Sequence, residues 1–319
     1  MKRMLLLVIA ALLVAPVVGV VQAEPVNQFS FLLKNTKPDG RFTLIFFARS
    51  FDRSGGVPPR LLSNYLRLPA GAKLNRAFLN KRWYCDGRRL RDSIDRDLAG
   101  SGTPFADRVE RLPVFIRRLA RRPHRSRRDL RDLANARTCL KAKIGHGTAE
   151  VDARATIPAL DQLVPSKFSI FFSRPMIEGG IAGFTVVGAA DVHSDAPIVK
   201  KYPIVGAVHV ALNANFVNDP TPDGLYGYKL VLPESSVNGL EVSIAQLRVV
   251  NTGLTILKGT CLKERRDGRC ARRQKRTAFW FTRPRCPTSG RISFLSFYDY
   301  VDPQPDITQT FSLACPRFG

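Results

Sequence analysis

Short runs of β-branched and aromatic residues, each cut off by glycine, proline or aspartate, recur along most of this chain and constrain its fold more than any other feature. Strands are read at Phe29–Asn35, Phe42–Phe51, Leu66–Leu74, Thr148–Ile157, Lys167–Ser173 and Ile181–Ala189. Further runs follow at Val205–Phe216, Tyr226–Leu232, Glu241–Val250, Leu254–Leu262, Ala278–Thr282, Ile292–Tyr300 and Thr308–Ala314. Runs of this length with turn residues in nearly every gap are the pattern of antiparallel β architecture. The first pair reads as a hairpin, because Lys37-Pro38-Asp39-Gly40 supplies a fixed φ, an Asx bond and a positive φ in succession. The expected fold is therefore mainly β, a β-sandwich or jelly-roll-like architecture, either one large sandwich or two abutting ones.

Residues 86–138 break the pattern. Leu90, Ile94 and Leu98 recur every four residues with Gly100 beyond them, and Thr103-Pro104 offers a cap and a first-turn proline. Val109, Leu112, Phe115, Ile116 and Leu119 continue a helical stripe that Pro113 should kink or restart. Ser126 to Asp129 has capping-box spacing ahead of Leu130, Leu133 and Leu140. An arginine-rich helical insertion of about 86–138 is expected, flanked by Cys85 and Cys139. The organisation read from this is a 24–165 N-terminal β domain carrying the insertion and a 166–319 C-terminal β-sandwich-like domain.

The N-terminus has the make-up of a secretory leader: Lys2 and Arg3, an apolar run from Met4 to about Val21, then Val21-Gln22-Ala23. Residues 1–23 are read as a signal peptide, with the mature chain starting at Glu24. Pro16 and Gly19 favour cleavage over retention as an anchor, and no cysteine follows the apolar run to carry lipid. No later segment is apolar for long enough to span a bilayer as a helix. The six cysteines, Cys85, Cys139, Cys261, Cys270, Cys286 and Cys315, then read as disulfides, because the outside of a cell is oxidising. Zinc would need close Cys/His pairs, and none is spaced for it. Fifteen connectivities are open; the pairing favoured here is Cys85–Cys139, Cys261–Cys270 across a hairpin, and Cys286–Cys315.

Without Lys2 and Arg3 the chain has 48 basic and 26 acidic residues, a net +22. Two segments hold most of it: 86–138, with fifteen Arg against eight acids, and 256–286, with eleven Lys and Arg against two. Concentrated charge of this kind attracts polyanions. Arg117, Arg118, Arg121, Arg122, Arg125, Arg127 and Arg128 form the first candidate patch, with Arg117/Arg121 and Arg118/Arg122 one helical turn apart. The stripe beside them could equally suit an interfacial helix or pack on the sheet. Arg265, Arg266, Arg269, Arg272, Arg273, Lys275 and Arg276 form the second, around an Asp267-Gly268 turn.

At Leu66-Arg-Leu-Pro-Ala-Gly-Ala-Lys-Leu-Asn75, Cys85 with Leu90, and Cys139-x-x-x-Lys143-Ile-Gly-His-Gly-Thr-Ala149, the chain resembles a group of uncharacterised secreted actinobacterial proteins. They share this LPxG…C…C…IGxGxA run, and similarly end in Cys-Pro, an aromatic strand and a last cysteine. The resemblance implies a disulfide-linked extracellular β fold and carries no activity.

No residue set is assigned to catalysis. There is no Gly-x-Ser-x-Gly elbow. Gly145-His146-Gly147-Thr148 resembles the His-Gly-Thr of subtilisin-like proteases, but no matching serine segment follows, and a glycine-flexed turn leading into a strand is the expected role. His209 is placed on a solvated strand face, His193-Ser194-Asp195 in a polar turn, and His124 among arginines. Glu150 and Asp152 could share a strand face as a carboxylate pair, yet lack supporting context. Asp219 and Asp223, or Asp302 and Asp306, offer too few oxygens for calcium and are expected to start turns. No metal and no cofactor are assigned. The first reading is a non-enzymatic exported or envelope-associated protein contacting anionic cell-envelope polymer or lipid headgroups, with no specific nucleic acid. A secreted hydrolase with unidentified acids and a purely structural extracellular module are the alternatives.

Overall fold

The computed structural model describes residues 26–34, 43–51, 61–75, 79–80, 82–98, 108–109, 111–123, 126–152, 154, 163–192, 206–232, 236–237, 240–241, 243–251, 254–257, 261–264, 270–273, 276–279, 281–282, 287–301 and 305–314. The leader at 1–23, Thr103-Pro104, His124, Arg125, His193–Asp195, Arg265, Arg266, Arg269, Lys275, Cys286, Asp302 and Cys315 lie outside them. In chain order come β1 (Val26–Lys34), β2 (Thr43–Phe51), β3 (Leu61–Pro69), β4 (Lys73–Leu74), the helices α1 (Gly87–Leu98), α2 (Leu112–Arg121) and α3 (Arg127–Ala142), then β5 (Lys143–Asp152) and β6 (Val164–Ser173). After these follow β7 (Gly180–Val192), β8 (Gly206–Asn218), β9 (Tyr226–Leu232), β10 (Ser236–Val237), β11 (Leu240–Glu241) and β12 (Ser243–Asn251). The last are β13 (Leu254–Leu257), β14 (Cys261–Glu264), β15 (Cys270–Arg273), β16 (Arg276–Phe279), β17 (Phe281–Thr282), β18 (Arg291–Tyr300) and β19 (Ile307–Ala314).

The fold is mainly β, as its runs of apolar residues require. Eleven strands join in one antiparallel sheet in the order β1-β2-β12-β5-β6-β7-β8-β9-β3-β18-β19. The sheet curls as a half-barrel, bringing its edge strands β1 and β19 into contact. Eleven of the described strands thus share one curled sheet and the other eight form two-stranded pairs, so a sandwich or jelly roll is not confirmed among the described residues. Alternation fixes which face a side chain takes but not which strand lies next door. Here β12 slots between β2 and β5, and β3 between β9 and β18, so chain-distant strands complete a single ladder. For the same reason the boundary expected at 165/166 falls inside β6, which hydrogen-bonds to β5.

Covering differs along the sheet. β18 alternates strictly, with Ile292, Phe294, Ser296, Tyr298 and Tyr300 buried and their neighbours more open. Residues 169–173 of β6 are buried five in a row, because both faces are covered there. On one face Phe172, Phe184, Phe216 and Tyr228 form an aromatic row across β6, β7, β8 and β9, with centroids 5.6, 6.2 and 5.1 Å apart. On the other face lie the cross-strand pairs Phe171–Thr185 and Ser169–Val187. The helices pack on that side: α1 touches β7 and β8, and α3 touches β6. Close approach is possible because the first residue of α1 is a glycine, where a Cβ would sit 2.2 Å from Thr185 Oγ1.

Three helices lie where the insertion is expected, with α3 running past Cys139 to Ala142. Ser126 caps α3, its Oγ accepting from the Asp129 N–H at 3.2 Å. Pro113 restarts the stripe by opening α2, whose Leu112, Phe115, Ile116 and Leu119 are all buried. The expected Cys85–Cys139 disulfide is formed. Beside it the Cys85 N–H donates to the Phe172 carbonyl at 2.8 Å, tying the insertion to β6.

Within the strand expected over 254–262, β13 and β14 are described on either side of residues 258–260, which lie outside the described residues. β13–β16 and β14–β15 each pair antiparallel in nearly the same register, two short ladders called together the hairpin arm. Within the arm Cys261 stands opposite Arg273, and Cys270 opposite Glu264. The expected Cys261–Cys270 and Cys286–Cys315 pairings fall on side chains outside those described.

Candidate functional site

The arginines of the helical layer have two distinct uses. The first is internal. Asp97, at the end of α1 and 1% exposed, receives Arg108, Arg118 and Arg122. Arg108 is itself buried; desolvation lowers its pKa and the Asp97 charge opposes that shift. Asp132 of α3, 6% exposed, likewise gathers Arg89 and Arg96 from α1. A buried carboxylate must be paired to be tolerated at all, so these two aspartates fix how α1, α2 and α3 sit against one another. Arg118 and Arg122, expected to form a free fork, are therefore held by Asp97, although each is half-exposed. Among the described residues one carboxylate there faces three guanidiniums.

The second use is external. Arg117, Arg121, Arg127 and Arg128 are exposed, and no ion pair engages them among the described residues. Arg117 Nε donates to the Pro113 carbonyl one turn back, which steadies its stem and leaves the charge outward. Helix α3 also carries Arg131, Arg137 and Lys141, exposed and likewise without an ion pair among the described residues. These three escaped the sequence reading, which stopped at the dense arginine run. The signal was there: once Ser126 starts the helix, Leu133, Ala136 and Cys139 define its buried side, and Arg127, Arg131 and Lys141 fall opposite.

The second basic segment occupies the hairpin arm, with Arg272, Arg273 and Arg276 in its strands. The arm's base is not remote from the helices. β12 ends with Asn251 opposite Gly145, just after α3 gives way to β5, and β13 then touches both β5 and α3.

The other candidates find structural roles. In β5, Gly147 is needed for packing, because a Cβ there would lie 2.3 Å from both the Phe168 ring and the Arg248 carbonyl. Gly188 meets the same Phe168 from β7. His146 is exposed on the strand beside Gly147, with Ser169 opposite it on β6. Asp152 is fully buried and clasped by Arg154, whose Nε and guanidinium nitrogen lie 3.0 and 2.5 Å from its two oxygens; Glu150 is only partly buried. Asp219 pairs with Arg67 at 3.0 Å. Asp223 accepts from the Thr221 hydroxyl and the Leu225 N–H, bonds that hold its carboxyl below the usual range. Asp306 accepts from the Tyr300 N–H at 3.4 Å. Among the described residues no three His, Cys, Asp or Glu side chains gather as metal ligands.

Compared with protein-family models, curated proteins and solved structures, the chain matches none.

Proposed function

We propose that this is an exported, non-enzymatic binding protein that docks on anionic cell-envelope polymer or lipid headgroups through its arginine-rich helical layer. The observation that carries this reading is the set of exposed cations without ion pairs on α2 and α3. Charge held in one place attracts polyanions, and these cations are not offset by a carboxylate as the arginines on Asp97 and Asp132 partly are. The leader-like N-terminus and the Cys85–Cys139 disulfide support an oxidising destination. The resemblance to secreted actinobacterial proteins points the same way. Because the apolar stripe of α2 is committed to the core, docking relies on contact-range charge and not on insertion of that stripe.

The test is co-sedimentation with cell-wall polymer and with anionic and neutral vesicles over a salt series. Binding to the anionic materials should fall steeply as salt rises, since screening shortens to about 8 Å at physiological ionic strength. Equal binding to neutral and anionic surfaces, or none at low salt, would reduce the arginines to a solubilising face.

A further inference from the structure

Resting on that reading, we propose that the outward arc of α3 alone is a binding strip for a linear phosphate-bearing polymer lying along the helix. Arg127 and Arg131 hold one end of the polymer, Arg137 and Lys141 the other. All of these are exposed, and none forms an ion pair among the described residues. At about 3.6 residues per turn they fall within about a third of the helix circumference, opposite the buried Leu133, Ala136 and Cys139. With a rise of about 1.5 Å per residue the row is about 21 Å long, in steps of about 6, 9 and 6 Å. Toward its middle lie Ala134 and Thr138, short side chains that let a polymer backbone come close. The Thr138 hydroxyl is turned onto the Ala134 carbonyl at 3.1 Å.

Nothing on the helix offsets this charge. Arg127 with Arg131, and Arg137 with Lys141, stand four residues apart, where like charges repel and work against the helix. No Asp or Glu lies three or four residues from any of them. The acids of α3 fall on its far side: Asp132 is buried and receives Arg89 and Arg96, and Asp129 follows the Ser126 cap. Arg127 stands moreover in the first turn, where the helix dipole disfavours a cation. A face that only solubilises intersperses the two signs. This arc keeps one sign against the preference of its own helix, and an anion laid along it relieves the repulsion. Anions carried on one backbone match a row this long and narrow, and phosphate takes the guanidinium fork in paired bonds. A planar lipid surface is the poorer fit, because Leu130 is the only large apolar side chain exposed on α3 and the stripe of α2 is buried.

The experiment uses the full mature chain and fluorescence anisotropy with inorganic polyphosphate of graded length, alongside polyglutamate of matched charge and phosphatidylglycerol vesicles at matched phosphate. The variants are R127Q/R131Q, R137Q/K141Q and, as a control on exposed positions of β12 and β18, R248Q/R291Q, each checked by far-UV circular dichroism. On chains long enough to reach both pairs, losing two contacts of about 0.7 each should lower the salt slope by about 1.4 and weaken binding about tenfold at 0.15 M salt. Chains too short to bridge the middle meet two equivalent ends, so either variant should weaken them only about twofold. The control should leave every chain unchanged. Without polymer, removing either pair should raise the melting temperature slightly, and a drop would show that the row supports the helix and overturn the strip. Effects independent of chain length, an equal loss in the control, or vesicles that outcompete polymer at equal phosphate would overturn the strip while electrostatic docking stands. Equal affinity for polyglutamate would overturn its preference for phosphate. If no anion binds even at low salt, the docking function fails and the strip with it.

Discussion

Across β6 to β9 the interior is built from aromatic rings meeting at 5.1–6.2 Å, whereas α1, α2 and α3 are joined by buried aspartates that each hold two or three arginines. The difference is instructive because both regions share one apolar cluster, running from Leu90 and Ile94 of α1 to Phe172 and Phe216 of the sheet. Dispersion and burial of rings tolerate no loss of volume but have no preferred charge state. The ion-paired layer depends on complementary charge, and its geometry follows from where two carboxylates sit. In the same layer, a guanidinium's role is decided by whether an aspartate lies within reach.

The largest effect should come from opening the aromatic row. Phe216→Ala removes a fully buried ring and should cost about 4 kcal/mol in urea unfolding; a loss below 1 kcal/mol would mean the row is not a structural spine. Next, Asp97→Asn removes the buried carboxylate that receives Arg108, Arg118 and Arg122 and should cost about 3 kcal/mol. Hydrogen exchange should show that loss concentrated in α1 and α2 while the β6–β9 amides keep their protection. Uniform loss across the sheet would dissolve the distinction between the two regions. Gly147→Ala forces a methyl against Phe168 and the Arg248 backbone and should cost about 2 kcal/mol through overpacking, read as a lower midpoint with unchanged m-value. The smallest effect is expected from Arg117→Gln with Arg121→Gln, under about 0.5 kcal/mol of stability because exposed, unpaired charges contribute little. Their removal should register in polymer binding; a large stability change would place them with the Asp97 group instead.

Much of this contrast was legible in the residues. The period-2 runs marked most strands, Ser126 and Asp129 marked the start of α3, and the pair Cys85 and Cys139 marked the insertion's ends. Less legible was which arginines point outward. Arg117 and Arg118 are neighbours in a run, and only the placement of Asp97, some twenty residues earlier, separates a free charge from a held one. Sheet order was equally hidden, since nothing in the local pattern of β12 says that its partners are β2 and β5. The three missed cations, Arg131, Arg137 and Lys141, show a different kind of loss: the helix was recognised, but its outer side was not followed to its end.

The strand order also sets a timetable for a chain that emerges from its N-terminus. β2 pairs at once with β1, yet its second neighbour begins only at Ser243. β3 must wait for Tyr226 on one side and Arg291 on the other. Until those residues arrive, the early hairpin and β3 present open edges, which invite pairing with other chains. Non-local pairing of this kind is also slow. A shortened chain ending before β18 should therefore be more than a trimmed version of the protein. It would hold the strands that open the ladder without those that close it, and in a crowded compartment its fate would be decided by which edge it meets first.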